Sequence, residues 1–215
     1  MPNRTMVKPI SGNLLLMVAA CADRRMTEMR GREEGGFTIL ELLVAIAIMA
    51  IVATVAVPRI ESALRESRVQ TALVSVVGEM RRARQLAMDR RRTHRVTFTS
   101  PRTLTVTRIE TGGNPDVQVS LITLPSDVSF TRNSISSEPD GFSSSSAFTF
   151  CGSGGTFSFN PQGAGVDASS NLCNGVAYMG ISGRIETTRA VTLFGSTGRS
   201  KGFRYAPSGG AWVWK

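Results

Sequence analysis

The chain has 215 residues, 41% of them hydrophobic and 19% charged, which is the composition of a folded protein and not of a disordered one. Its net charge is +9, and only three of its 25 basic residues are lysine, so its cations are mostly arginines suited to bidentate contact with phosphate or carboxylate. One histidine, three cysteines and the lack of P-loop, G-x-S-x-G and H-E-x-x-H motifs argue against an enzyme, and no cofactor or metal is expected.

The first 36 residues precede the main apolar segment and contain a shorter apolar run of their own. Residues 14–21 (LLLMVAAC) are similar to a short signal peptide that ends in a lipoprotein cleavage site at Cys21. The apolar core of that run is near the minimum length. A lipoprotein also has no need of the longer apolar segment that follows within 16 residues.

Residues 37–57 (FTILELLVAIAIMAIVATVAV) form the most apolar stretch of the chain, with 18 of 21 positions apolar. As a helix the stretch would be about 31 Å long, which matches the hydrocarbon core of a bilayer. The sequence therefore predicts one membrane crossing near the N-terminus. The exception is Glu41, since a carboxylate inside a spanning helix costs about 2.5–3.5 kcal/mol. Either Glu41 reaches the headgroup region near the helix end, or a cation meets it at the same depth.

The string Gly36-Phe37-Thr38-Ile39-Leu40-Glu41, followed by an apolar helix, resembles the type III signal sequence of type IV prepilins and pseudopilins. The resemblance implies that a prepilin peptidase cuts between Gly36 and Phe37 and methylates the new amino terminus. It also implies that Glu41 neutralises the amino terminus of a neighbouring subunit, because buried opposite charges are tolerable only as a pair. Residues 1–36 would then be a cleaved leader, with Met26 and Met29 as alternative starts. Residues 37–57 would be the inner-membrane and filament-core helix.

Residues 58–92 continue the helical pattern as an amphipathic segment, after a kink at Pro58. Apolar residues recur at steps of three and four: Ile60, Leu64, Ala72, Leu73, Val76, Val77, Met80, Ala83, Leu86 and Ala87. The pattern predicts one helix over about 38–92, with its second half packed on a sheet.

From residue 94 the period changes to two, which is typical of strands. Strands are predicted at 94–99, 103–107, 117–124, 147–151, 156–159, 176–181, 190–194 and 201–205, the first two joined as a hairpin through Ser100-Pro101-Arg102. Residues 133–147 hold seven serines and are predicted to be a mobile loop. A long helix followed by antiparallel strands makes an α+β fold, with the β-rich head at 93–215.

The cysteine count depends on the leader. Removing residues 1–36 removes Cys21 and leaves Cys151 and Cys173. An even count outside the cytoplasm favours a disulfide, and the alternative is two free buried thiols.

The distal half shows a second resemblance. Residues 157–163 (FSFNPQG) and 191–199 (VTLFGSTGR) are similar to the GspH/FimT group of minor pseudopilins, in which F-x-P-x-G and T-G-R segments recur. The two resemblances together imply a pilin-like fold and a periplasmic head. The chain would be a structural subunit of a type II secretion pseudopilus or a type IV pilus. Its partners would be the prepilin peptidase, other pilins and the inner membrane.

Positive charge is concentrated in two segments. Residues 81–95 carry seven arginines against one acid (+6), and residues 184–215 carry six basic residues against one acid (+5). FimT-like members of the group are associated with DNA capture through G-R-x-R, and Gly198-Arg199-Ser200-Lys201 is similar to that segment. The candidate DNA contacts are Arg189, Arg199, Lys201 and Arg204. The other interpretation is a solvated surface, and Trp212 and Trp214 would either stack on bases or fill the edge of the sheet.

Overall fold

A computed structural model of the chain describes residues 37–142, 144–152 and 154–214. Gly36, the predicted leader and the alternative cleavage site at Cys21 lie outside the described residues. The chain divides into two units, Met1–Thr54 and Val55–Lys215. The helix α1, Ile39–Arg90, passes from the first unit into the second.

The start of α1 is set by a side-chain cap. The backbone N–H of Glu41 donates a hydrogen bond to Thr38 Oγ1 at 3.2 Å, and the N–H of Leu42 donates to the Thr38 carbonyl oxygen at 3.1 Å. Residues 38–41 (TILE) have the S/T-x-x-E spacing of a capping box. The helix therefore begins immediately after the predicted amino terminus at Phe37.

In the first unit the apolar side chains of α1 are exposed. Its most apolar 18-residue window has a mean hydropathy of 2.7, and none of that window is buried. By length and composition α1 can cross a membrane. The core helix of a soluble protein would have buried these side chains.

In the second unit α1 packs its apolar face on the sheets. The buried residues are Val69, Ala72, Leu73, Val76, Val77, Met80, Ala83 and Ala87. Ile60 and Leu64, which were predicted to share this face, are 58% and 51% exposed, so that part of the prediction is wrong. Glu66 bonds Arg204 near the end of its strand, so Ile60 and Leu64 lie beyond the part of the sheet that would cover them.

The first sheet contains five antiparallel strands. They are β1 (His94–Thr99), β2 (Thr103–Arg108), β3 (Val117–Thr123), β5 (Thr156–Phe159) and β6 (Gly165–Val166), in the order β3-β2-β1-β5-β6. The predicted hairpin is confirmed, with Thr99 opposite Thr103 and His94 opposite Arg108.

The second sheet also has five antiparallel strands. They are β4 (Phe148–Phe150), β7 (Gly175–Met179), β8 (Arg189–Phe194), β9 (Arg199–Ala206) and β10 (Ala211–Trp214), in the order β10-β9-β8-β7-β4. The sequence did not predict β6 or β10. The first has only two residues, and the second reads as an apolar run without alternation.

Two apolar clusters hold the second unit together. The larger one joins α1 to both sheets and includes Met80, Phe98 and Phe157. The smaller one contains Tyr178 and Tyr205 and lies on the opposite face of the second sheet. Helix and antiparallel strands thus form the predicted α+β architecture.

The serine-rich segment 133–147 is not a free loop, which corrects the prediction. Asn133 is buried and its Nδ2 donates to the carbonyl oxygens of Ile181 and Arg184 and to Thr188 Oγ1. Glu138 accepts hydrogen bonds from Arg132 and from the Tyr178 hydroxyl. The segment covers the smaller cluster because Ile135 is buried in it and Phe142 packs against it, although several of the serines are exposed.

Cys151 and Cys173 form a disulfide, as their even count predicted, with their Cα atoms 4.5 Å apart. They are 22 residues apart in the chain, so the loop that the disulfide closes stabilises the fold by about 3 kcal/mol in the chain-entropy model.

Candidate functional site

The N-terminal motif is exposed. Phe37 is 78% exposed, and the neighbouring side chains of α1 are also open. Within the described part of the chain the Glu41 carboxylate has neither an ion pair nor a hydrogen bond. The Thr38 hydroxyl bonds the backbone N–H of Glu41 and not its side chain. An unpaired carboxylate within an otherwise apolar stretch of the helix is available to a cation from another chain.

The four basic residues predicted to contact DNA lie on two different faces of the second sheet. Arg189 is directly opposite Arg204 in the β8–β9 ladder, and both guanidinium groups reach Glu66 of α1. Lys201 lies opposite Thr192, and both side chains bond Asp140 on the other face. These residues therefore do not form one surface.

Arg189 cannot contact DNA, which corrects that prediction. Its side chain is fully buried, and it donates to Glu66 at 3.2 Å and to the carbonyl oxygen of Thr188 at 3.0 Å. Burial, and secondarily the nearby charge of Arg204, lowers the pKa of Arg189 from its usual value. Arg204 bonds the same Glu66 at 2.7 Å. This cluster joins α1 to the second sheet and is structural.

Lys201 and Arg199 share a face of β9 because they are two residues apart. The Lys201 ammonium group is 3.4 Å from Asp140 and 4.7 Å from the centre of the Phe194 ring, so its charge is already partnered. Arg199 is exposed at the start of the strand. Of the four candidates, Arg199 is thus the one most open to an outside anion.

The two sequence segments that resemble the GspH/FimT group meet at Arg84. The Arg84 Nε donates to the carbonyl oxygen of Gly163 at 3.0 Å. Gly198, in the turn before Arg199, packs against the same group: a Cβ added there would overlap the Gly163 carbonyl oxygen and lie 2.8 Å from Arg84 Nε. The sequence did not single out Arg84, because it is one of seven arginines within residues 81–95.

This contact brings the two basic segments together. The turn before Arg199 lies against the last turns of α1, where Arg81, Arg82 and Arg90 are exposed. Arg92 and Arg95 are also exposed, although they bond Thr111 and Asp116. Exposed arginines are thus concentrated around the C-terminal end of α1, on more than one side of the helix, and we call this region the basic surface.

Trp212 fills the edge of the second sheet, which is one of the two roles that the sequence suggested for it. Its ring packs on Tyr205 at 5.1 Å and Tyr178 at 5.9 Å, and its Nε1 donates to the Ser137 carbonyl oxygen at 3.0 Å. A half-buried ring held in this way is not free to stack on a base.

His94 is the buried titratable group of this region. It lies opposite Arg108 and Phe159 in the sheet, and its Nδ1 donates to the Arg92 carbonyl oxygen at 2.9 Å. Burial is the main reason that its pKa lies below the usual value. Across the described residues, no group of three or more His, Cys, Asp or Glu side chains is placed to hold a metal ion.

The comparisons with known proteins bear on the N-terminal motif. The family model of the prokaryotic N-terminal methylation motif matches residues 31–57. Among solved structures, the chain is similar to the type IV minor pilin FimU of Pseudomonas aeruginosa in two crystal forms. Both alignments have 11% sequence identity; they cover 62% and 67% of this chain and 87% and 96% of FimU, with TM-scores of 0.43 and 0.42. No curated protein matches the chain.

The family match identifies the class of the N-terminal segment: the chain carries a prokaryotic N-terminal methylation motif. The motif includes Phe37, Glu41 and the Thr38 cap that starts α1. In this chain the motif is joined to an α+β head.

Proposed function

We propose that the chain is a minor pilin-type subunit of the GspH/FimT kind, cut after Gly36, methylated on Phe37 and assembled through α1. The observation that carries the proposal is the methylation motif over residues 31–57, which extends into the part of α1 whose apolar side chains are exposed. Exposed apolar surface of this extent needs a bilayer or other subunits to cover it.

The proposed location follows from the same helix. Residues 37–57 hold the subunit in the inner membrane, with the head of 58–215 in the periplasm, where an oxidised pair such as Cys151–Cys173 persists. The partners are the prepilin peptidase and the other pilins of a type II secretion pseudopilus or a type IV pilus.

Glu41 is assigned the role of selecting the neighbouring subunit. Its carboxylate lies in the first turn of α1 without a partner among residues 37–54. A new amine at Phe37 of the neighbour would supply the missing cation, and the pair would be stable where either charge alone is costly.

The test compares Glu41→Ala with Glu61→Ala in the native host. Both substitutions remove a carboxylate from α1, but Glu61 makes an exposed pair with Arg65 at 2.7 Å. We expect Glu41→Ala to lower the amount of subunit in sheared filaments at least tenfold, with unchanged membrane levels, and Glu61→Ala to assemble normally. Equal assembly of the two variants would contradict the role of Glu41.

A second candidate function is binding of DNA by the basic surface. The specific observation is the contact between the Gly198 turn and Arg84, which brings the start of β9 to the arginine-rich end of α1. The exposed Arg199 side chain extends from this start on the face of β9 that it shares with Lys201. Seven arginines within residues 81–95 would supply phosphate contacts.

Fluorescence anisotropy of the mature chain with duplex DNA, at several salt concentrations, tests this second function. Binding should weaken steeply with salt and fall in Arg199→Ala. Arg184→Ala is the matched control, because Arg184 is half exposed but pairs with Glu186, away from this surface. No binding at low salt, or an equal loss in both variants, would exclude DNA binding through Arg199.

A further inference from the structure

The two cysteines of the disulfide have different surroundings. Cys173 is fully buried and belongs to the larger apolar cluster. Its backbone is closely packed, since its N–H donates to the Gly165 carbonyl oxygen at 2.9 Å and a Cβ added at Gly195 would lie 2.6 Å from both its N and its O. Cys151 is partly exposed and packs only against the outside of the cluster. Solvent therefore reaches the disulfide from the Cys151 side.

An open cleft of about 340 Å³ lies beside Cys151. Its walls are Arg95 of β1, Thr156–Ser158 of β5 and residues 167–169, and Cys151 is part of its lining. The Cys151 Sγ lies 3.8 Å from the carbonyl oxygen of Thr156. Arg95 and Asp167 contribute charges of opposite sign to the lining, so the net charge of the cleft does not exclude an approaching thiolate.

We propose that this cleft admits a small thiol and that Cys151 is the sulfur through which the disulfide is opened and closed. Thiol–disulfide exchange depends on which sulfur the attacking thiolate can reach. The thiolate attacks the Cys151 Sγ, where a new S–S bond forms as the bond between Cys151 and Cys173 breaks. The electron pair of the broken bond goes to the Cys173 Sγ, which takes a proton from water. The product is a mixed disulfide on Cys151 and a free thiol at Cys173.

The reverse reaction closes the disulfide during maturation of the head. The Cys173 thiolate attacks the Cys151 sulfur of the mixed disulfide and releases the small thiol, so this step consumes no further oxidant. The mixed disulfide is formed on Cys151 because a group attached to Cys173 would have to fit inside the close-packed apolar cluster. The two cysteines thus have unequal roles in the folded head.

Mass spectrometry after a brief exposure to glutathione tests this assignment. The full chain carries Cys21→Ser, so that Cys151 and Cys173 are its only cysteines. The folded chain is treated with glutathione, the free thiols are alkylated with iodoacetamide, and the modified peptides are mapped. We expect at least tenfold more glutathione on Cys151 than on Cys173. The same chain unfolded in urea should carry glutathione on both cysteines to a similar extent, because unfolding removes the difference in burial.

A pair of variants tests the cleft itself. Ala168→Trp adds a large side chain at an exposed residue of the cleft wall and should slow the labelling of Cys151 severalfold. Ala211→Trp is the matched control, because Ala211 is also exposed but lies on β10 of the second sheet. It should react at the rate of the chain without either tryptophan.

Three outcomes would overturn the proposal: no glutathione on Cys151 of the folded chain, as much or more on Cys173, or equal rates in the two tryptophan variants. The inference does not depend on cleavage after Gly36, since both cysteines lie in the head. Intact mass of the same sample reports cleavage separately, so an uncut chain that is labelled on Cys151 contradicts only the proposed function.

Discussion

Gly198 shows how one residue sets the geometry of the basic surface. It adopts a left-handed conformation with φ of 61°, and its missing side chain lets the turn approach Gly163 and Arg84. Gly163 is itself left-handed, with φ of 80°, and a Cβ there would lie 2.7 Å from the sulfur of Met88. The two glycines allow the two motif-bearing turns to meet on α1.

Gly198→Ala should destabilise the head by about 3 kcal/mol or more, because backbone strain adds to a clash with the backbone of Gly163. Gly112→Ala is the matched control: Gly112 also has a positive φ, 77°, but a Cβ there meets nothing within 4 Å. The Gly112→Ala variant should lose about 1 kcal/mol of stability, which is the cost of the backbone strain alone. Chemical denaturation of the two variants measures the difference, and equal losses would contradict the packing described for Gly198.

His94 should make the stability of the head depend on pH. Burial lowers its pKa below the usual 6.5, so the unfolded chain binds the proton more readily than the folded one. The contribution of His94 is therefore complete above about pH 6.5 and is lost as the pH falls through the lowered pKa.

Thermal unfolding at pH 7.5 and pH 5.5 tests this dependence in the wild type and in His94→Asn, whose amide can still donate to the Arg92 carbonyl oxygen. The asparagine variant should be less stable at both pH values but should lose less stability on acidification. An identical pH response in the two proteins would show that His94 does not carry the effect.

At the scale of elements, the attachment of α1 to the second sheet depends on Glu66. Its carboxylate pairs with both Arg189 and Arg204, and Arg189 is fully buried. Removing the carboxylate leaves a buried guanidinium group without its counterion, which costs far more than the loss of an exposed pair.

Glu66→Ala should therefore lower the free energy of unfolding by about 1–2 kcal/mol. This is less than the cost of breaking a fully buried pair, because Glu66 itself is half exposed and solvent screens its charge. Glu61→Ala, on the same helix, breaks only the exposed pair with Arg65 and should cost about 0.5 kcal/mol or less. Urea titration measures both variants. A cost for Glu66→Ala no larger than for Glu61→Ala would contradict the clamp.

The elements with clear periodicity were predictable from the sequence. The apolar half of α1, the β1–β2 hairpin and the disulfide follow from composition, alternation and cysteine count. Ile60 and Leu64 continue the apolar pattern of α1, and periodicity does not reveal where the sheet beside the helix ends. They were therefore predicted in the core, although they are exposed.

The basic site was only partly predictable for a related reason. Arg189 begins a strand whose first five residues are all buried, so alternation cannot separate its two faces. The contact of Arg84 with Gly163 joins residues 79 positions apart, and no local pattern indicates it. The exposed Arg199 was identified because it lies in a turn that carries a recognisable motif.

For the whole molecule, the apolar side chains in the first unit's part of α1 and the outer edges of β3 and β10 are uncovered among the described residues. The proposed assembly through α1 would cover the first of these surfaces with a bilayer or with other subunits.

Intact-mass and N-terminal analysis of the chain extracted from membranes of its native host tests the central claim most directly. The account predicts a chain that begins at Phe37, carries one methyl group on its amino terminus and contains the Cys151–Cys173 disulfide. The same chain from a strain without prepilin peptidase should retain Gly36 and the leader. An uncut chain in the native host, or one that begins at Cys21, would contradict the account.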